Sequence, residues 1–311
     1  MDYTTMAYIK PKNHASELTL ILFFTRGVSL KSWDKSGADI FKTNQIEGSE
    51  IALMARRLFR KKMIARCGFM WSLYQSLYLD KHGANQHELR QAKQAVQQEK
   101  KAFTHADHAV SVIPNYVLTD VLKPQTKQKP FQKRLVFVGR FQPQKNLFAL
   151  FDAIKGLDVE LIMIGDGYLR PQLEKKAKDD KLNVQFLGKQ SHEHLPNLLN
   201  EADVFIMPSH WEGHPKALLE AMSCGLSCIA TNVAGNRGVI THGKNGILCG
   251  TSAAEIRSAI QIVMTDNVLR SRLGKNARDY VINHCSLEKV IELELELLTD
   301  MVTKKSQSLE A

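Results

Sequence analysis

The chain has 311 residues, 44% of them hydrophobic, enough apolar material for two modest cores rather than one large one. No apolar run reaches the roughly eighteen residues a membrane span needs, since "LTLILFF" at 19–25 is only strand length, and the N-terminus lacks the regions of a secretory signal. The net charge of +10 is uneven, with 18 Lys/Arg against 11 Asp/Glu in residues 1–125 and 24 against 21 in the rest, so the first part suits an anionic partner: nucleic acid, anionic lipid or a phosphorylated substrate.

In chain order, "ELTLILFFT" (17–25), "ADIFKTN" (38–44), "MIARCG" (63–68) and "HAVSVI" (108–113) read as strands. "GSEIALMARRLFRK" (48–61) and the polar "NQHELRQAKQAVQQEKKAF" (85–103) read as helices. "VLKPQTKQKPFQK" (121–133), rich in Pro, Gln and Lys without apolar period, is the linker candidate. Beyond it the short apolar runs "RLVFVG" (134–139), "VELIMIG" (159–165), "VQFLG" (184–188), "ADVFIMPS" (202–209) and "SCIATN" (227–232) alternate with helical patterns at 146–156, 169–180, 192–201 and 215–225. That alternation with short links marks a doubly wound parallel sheet, whose ligands bind at the carboxyl ends of the strands. Gly139, Gly165, Gly188 and Ser209 fall at those ends. "SLEKVIELELELLTDMV" (286–302) is a final helical pattern.

Three features of the second half could carry chemistry. "VGRFQPQKN" places Arg140 and Lys145 just past a strand end, a planar fork and a point charge that could grip a diphosphate, though a solvated turn would carry the same residues. "SHWEGHPKALLEAMSCG" (209–225) sets two glutamates eight positions apart. Pro215 suits the first position of a helix, with Gly213 and His214 leading into it, and the free N–H groups there favour an anion or a sugar oxygen. Glu212 lies ahead of that helix, while Glu220 lies inside it, roughly 8 Å along at 1.5 Å per residue, where it could accept from a pair of hydroxyls. A dipole-favoured acid plus a solvated one is the competing explanation. "GDGYL" (165–169) is weak evidence for a nucleotide loop without GxGxxG or GxxxxGK[ST], and no metal-ligand set stands out. His192 and His194, at a polar helix start, are expected to face solvent. The five cysteines form an odd set without CxxC spacing, which points to buried thiols in a reducing cytoplasm.

Together, G-R with its following Lys, GDG, the strand ending "FLG", and "ADVFIMPSHWEGHPKALLEAMSCGLSCIAT" with the later "G..G" resemble the retaining glycosyltransferases of the GT4 type, most strongly over 134–290. The resemblance implies an α/β GT-B fold, two Rossmann-like doubly wound domains facing across a cleft, with the N-terminal one abbreviated. The implied division is 1–125 for the acceptor-side domain, 126–133 for the linker, 134–285 for the donor domain, and 286–311 for a helix and tail returning toward the first domain. The family's diphosphate-binding residues fall on Arg140 and Lys145, the acid near the transferred sugar on Glu212, and the ribose-binding acid on Glu220. Gly139, Gly213, His214, Pro215 and Leu219 complete the implied donor site, and Gly27 and Arg66 stand on the acceptor side. The resemblance further implies sugar transfer with retention, with neither cofactor nor metal, from a nucleotide-diphosphate sugar to a saccharide or lipid-linked acceptor.

The chain also departs from the family. Its first domain is short, Gly27 stands alone where a glycine pair is common, "RCGFMW" replaces a loop histidine, and Gly238 stands where an acid is common. "ARRLFRKKMIAR" (55–66) reads either as a patch for an anionic membrane or as a solvated helix end. Nucleic acid is disfavoured because no recognised module is present. The expected location is cytoplasmic, peripheral on the inner face of a membrane. The competing function is an inactive nucleotide-sugar-binding protein; a GT-B phosphorylase or epimerase is a third reading.

Overall fold

The computed structural model describes residues 113–125 and 130–307, together with four strands and scattered helical positions earlier in the chain. Two compact units divide it, Met1–Val112 and Ile113–Ala311. In the first, β1 (Ala7–Ile9), β2 (Leu20–Phe23), β3 (Ile40–Thr43) and β4 (Lys62–Ile64) form one sheet in that order. β1 runs antiparallel to β2, and the other pairs are parallel. The described positions between 86 and 104 are helical, as the polar pattern there predicts. The helix expected at 48–61, the strand residues expected at 108–112, and the side chains of Gly27, Arg66 and the basic stretch 55–66 lie outside the described residues.

The second unit is a six-stranded parallel sheet in the order β10-β9-β8-β5-β6-β7. Its strands are β5 (Arg134–Val138), β6 (Glu160–Ile164), β7 (Val184–Gly188), β8 (Val204–Met207), β9 (Ser227–Thr231) and β10 (Ile247–Cys249). The helices are α1 (Leu147–Ile154), α2 (Arg170–Asp179), α3 (Leu195–Asn200), α4 (Lys216–Ser223), α5 (Ala234–Arg237), α6 (Ala253–Thr265), α7 (Asn267–Cys285) and α8 (Leu287–Gln307). Side-chain alternation sends Leu135 and Phe137 of β5 to one face and Val136 to the other, and the same parity splits Val204 and Ile206 from Phe205 and Met207 on β8. One core packs under α1, α2 and α6, the other under α3, α4 and α7. Each fully buried Leu or Phe there contributes about 1.5–3 kcal/mol, which is why these near-continuous apolar runs settle as central strands. Among the described residues no helix is long and apolar enough to cross a membrane.

Residues 113–125 belong with this second unit, not with the residues before them as the linker pattern suggested. Val117 donates its N–H to the Cys285 carbonyl at 2.8 Å, and Leu122 is buried in the core. Arg278 donates to the carbonyls of Thr119 (3.3 Å) and Leu122 (3.1 Å), and Ser223 Oγ also donates to Leu122 O. Buried backbone acceptors without water need such donors, and these fasten the segment to the end of α4 and to α7.

Candidate functional site

The strand order reverses direction between β5 and β8, and the loops leaving those two strands meet there. A parallel sheet opens its ligand crevice at this switch point. After β5, Gly139 N–H donates to Ile164 O and Phe141 N–H to Asp166 O, both at 2.9 Å. Phe141 is fully buried and anchors the loop. Its neighbour Arg140 is exposed, with no side-chain hydrogen bond among the described residues. The chain then makes a 3-10 turn at Pro143–Lys145, and Asn146 at φ 52° starts α1. Gly165 permits the close approach on the β6 side: its φ is +131°, and a Cβ there would fall 1.9 Å from the Gly139 carbonyl oxygen. The GDG motif therefore packs the β5 loop, a structural use for glycines that also resemble a phosphate loop.

The loop after β8 is stitched to that turn. His210 N–H donates to Gln144 O at 2.8 Å, Gln144 Nε2 to Trp211 O at 2.9 Å, and Lys145 Nζ pairs with Glu212 Oε1 at 2.5 Å. The Lys145 and Glu212 side chains keep only 12% and 9% of their exposure, so this is a largely desolvated ion pair between residues 67 apart. Behind the loop, Thr231 Oγ1 donates to Ser209 O at 2.5 Å and Asn236 Nδ2 to Thr231 O at 2.9 Å, all three residues being buried. Gly235 of α5 lies directly against the loop backbone, where a Cβ would sit 2.0 Å from Gly213 O and 2.4 Å from Glu212 O.

Helix α4 begins at Lys216, with Pro215 as its cap at φ −76°, ψ 102° and not as its first helical residue. No side chain caps this end, so the N–H groups of Lys216, Ala217 and Leu218 have no acceptor among the described residues. Leu219 N–H is taken by Pro215 O at 3.2 Å. Glu220 is buried, its side chain 6% exposed, and His192 Nδ1 lies 4.0 Å from its Oε1. Among the described residues the Glu220 carboxylate has no hydrogen-bond donor. Desolvation pushes its pKa above the usual carboxylate value, against the pull of Lys216 and His192. His214 is half-buried; its Nδ1 accepts from Asn115 N–H at 3.1 Å and its carbonyl from Asn115 Nδ2 at 2.7 Å. Burial pushes the His214 pKa down.

The structure thus brings Gly139, Arg140, Lys145, Glu212, Gly213, His214 and Pro215 to one strand crossing, with Glu220 one turn into α4. Leu219 is placed elsewhere: its side chain is fully buried in the core and its N–H is occupied, because the helical period turns that position inward. His192 and His194 are exposed as expected, yet His192 stands beside Glu220. Gln144, Asn115 and Gly235 hold the site without having been singled out; the small-residue run "AGNRG" was the one local signal for Gly235.

Comparison with known proteins places the chain in a family and a fold. The family model described as glycosyl transferases group 1 matches residues 119–280, a little over half of the chain. The UDP-Gal:alpha-D-GlcNAc-diphosphoundecaprenol alpha-1,3-galactosyltransferase of Escherichia coli is 30% identical over 216 residues, covering 63% of this chain and 55% of that protein. The N-acetyl-alpha-D-glucosaminyl L-malate synthase of Bacillus anthracis is 32% identical over 168 residues, 51% of this chain and 43% of that protein. The chain therefore spans about half the length of the relatives it matches. Among solved structures, sucrose-phosphate synthase from Thermosynechococcus elongatus superposes with a TM-score of 0.75 at 20% identity, over 88% of this chain and 76% of that one. HepE from Anabaena, solved with UDP and glucose, gives 0.67 at 19% identity, over 88% and 80%. These neighbours share the GT-B fold, and with the family match over its second unit the chain belongs to the glycosyl transferases group 1.

Proposed function

We propose that the protein transfers a sugar from a nucleotide-diphosphate sugar to a saccharide or lipid-linked acceptor with retention of anomeric configuration and without a metal. The observation that carries the reading is Glu220, a nearly buried carboxylate without a hydrogen-bond donor among the described residues, on the helix that follows the loop bearing the Lys145–Glu212 pair. The Glu220 side chain keeps 6% of its exposure, which leaves the carboxylate reachable, and a pair of ribose hydroxyls would supply the donors it lacks among the described residues. Arg140, Lys145 and the free N–H groups of α4 then face the diphosphate, and Glu212 faces the sugar.

As the glycosidic bond breaks through an oxocarbenium-like state, negative charge builds on the departing β-phosphate. Preorganised donors stabilise it, each worth on the order of 3 kcal/mol. With those cations and dipoles supplying positive charge, we read the reaction as metal-independent. The acceptor attacks from the face the leaving group vacates, so no protein nucleophile is needed. Because the E. coli relative is named for UDP-Gal and HepE was solved with UDP, UDP-sugars are the first donors to test. That relative's name also includes a diphosphoundecaprenol-linked acceptor, which favours a lipid-linked substrate and work at a membrane surface.

The test is calorimetric titration of UDP, GDP and ADP, with and without EDTA, into wild type and Arg140→Ala. It is followed by an assay of labelled-sugar transfer. Binding of one nucleotide, insensitive to EDTA and lost in the variant, supports the reading. Binding without transfer or donor hydrolysis favours the inactive sugar-nucleotide-binding protein, and binding of none refutes both.

A further inference from the structure

We propose that Asn115 is a positioning residue for this site, locking His214 as the Nε2–H tautomer and fixing the turn from Gly213 to Pro215 that leads into α4. The inference rests on the donor-site reading above and adds a group to it: an imidazole N–H donor held in one place two residues after Glu212.

The argument starts from hydrogen-bond roles. Asn115 backbone N–H points at His214 Nδ1 at 3.1 Å, across 99 residues of sequence. A ring nitrogen that accepts carries no proton, so the neutral imidazole must hold its hydrogen on Nε2. Nε2 has no partner among the described residues. A donor is therefore left for a ligand. The Asn115 side chain makes the second contact, its Nδ2 donating to His214 O at 2.7 Å, and so fixes the peptide plane between His214 and Pro215. Burial, which disfavours the imidazolium, keeps the ring neutral around pH 7.

The lock has a rigid base. The next residue, Tyr116, lies 5.7 Å beneath the Lys216 ammonium. Val117 is fully buried and bonded to Cys285 O. Arg278 then grips the carbonyls of Thr119 and Leu122. Asn115 thus stands on a segment anchored at four later points, two residues into the second unit's chain. A segment held only to fill space would need neither of the two polar contacts.

The test uses the full chain. In 15N spectra of histidine-labelled wild type, His214 is expected to show an unprotonated Nδ1 and a protonated Nε2. Asn115→Asp, isosteric but without the amide donor, should weaken binding of the preferred nucleotide among UDP, GDP and ADP roughly tenfold. His214→Gln places an amide donor near the Nε2 position and should stay within about threefold of wild type, whereas His214→Asn, which places it near Nδ1, should lose about tenfold. Those two variants decide the matter even if Asn115→Asp folds poorly. An Nδ1–H tautomer in wild type, or equal affinities in the Gln and Asn variants, overturns the positioning role alone. Failure of wild type to bind any nucleotide overturns the donor-site reading and the positioning role with it.

Discussion

Gly235→Ala tests whether the loop carrying Glu212 is supported from behind as the geometry says. The new methyl would fall 2.0 Å from Gly213 O and 2.4 Å from Glu212 O, both backbone atoms, where 3.0 Å is the closest approach real Cβ atoms make. The loop or α5 must therefore yield by at least 1.0 Å (3.0 minus 2.0). α5 has little room to retreat, since Asn236 is fully buried and bonded to Thr231 O. Such overpacking costs roughly 1–3 kcal/mol, or about 2–4 °C of melting temperature per kcal/mol for a unit of this size. The functional effect should be of similar size, because a 1 Å misplacement of positioning groups can cost on the order of a hundredfold in rate, about 2.7 kcal/mol. Thermal melts read the first term, and nucleotide titration with the sugar-transfer assay reads the second. Gly238→Ala is the control: it lies at the end of the same short helix, with φ −68° and nearest atom at 3.4 Å, so it should be neutral. If Gly235→Ala melts and binds like Gly238→Ala, the loop is not held from below and the reasoning fails.

Three further outcomes are expected. Arg140→Ala should leave the melting temperature unchanged, because its side chain is exposed and makes no hydrogen bond among the described residues, while Lys145→Ala should lower both nucleotide binding and stability by leaving Glu212 unpaired. Melts and titrations of the two variants side by side check this. Glu220→Gln should raise stability at neutral pH and weaken nucleotide binding roughly ten- to a hundredfold. The sign follows from the raised carboxyl: its favourable folded-state contribution is full below the unfolded pKa and is lost as pH rises through the higher folded value, so the melting curves of wild type and variant should converge in acid. Cys224 and Cys249, pushed up to about 12, and Cys285, pushed up to about 11, should resist alkylation in the folded protein at pH 7.5, and mass spectrometry of the labelled chain checks it.

What could be read from the sequence depended on whether a signal was local. Five strands of the second unit announced themselves as apolar runs ending in small residues, and each formed. β10 escaped because "ILC" is three residues long, and α5 because "AGNR" is too short to show a helical period. Arg140, Lys145, Glu212 and Glu220 were legible because each lies inside a compact motif. Their arrangement was not: Lys145 pairs with Glu212 only because the strand order places β5 next to β8. Asn115 is harder still, since its partner lies 99 residues away and "IPNYV" reads locally as an ordinary loop. The same reasoning explains the misplaced boundary at residue 125, where a polar composition was visible and the burial of Val117 and Leu122 was not.

The Lys145–Glu212 pair could be taken for a gate that a ligand must break, but its atoms argue otherwise. Among the described residues only Glu212 Oε1 is engaged, and a carboxylate can accept further hydrogen bonds on its second oxygen. Lys145 likewise has three N–H donors, one of them committed to Glu212. The pair can hold a sugar hydroxyl on one side and a phosphate oxygen on the other without separating, so the two groups keep each other placed before and during binding. Since the pair is neutral, the remaining positive character near the helix start comes, among the described residues, from Arg140, Lys216 and the N–H groups of α4 that lack an acceptor, and the negative character from Glu220 farther along the helix. That polarity suits a ligand whose anionic centre lies between a hydroxyl-rich sugar and a hydroxyl-bearing ribose. Under the proposed donor site, the helix start separates the two glutamates so that one serves a cation beside the phosphate while the other meets the ribose.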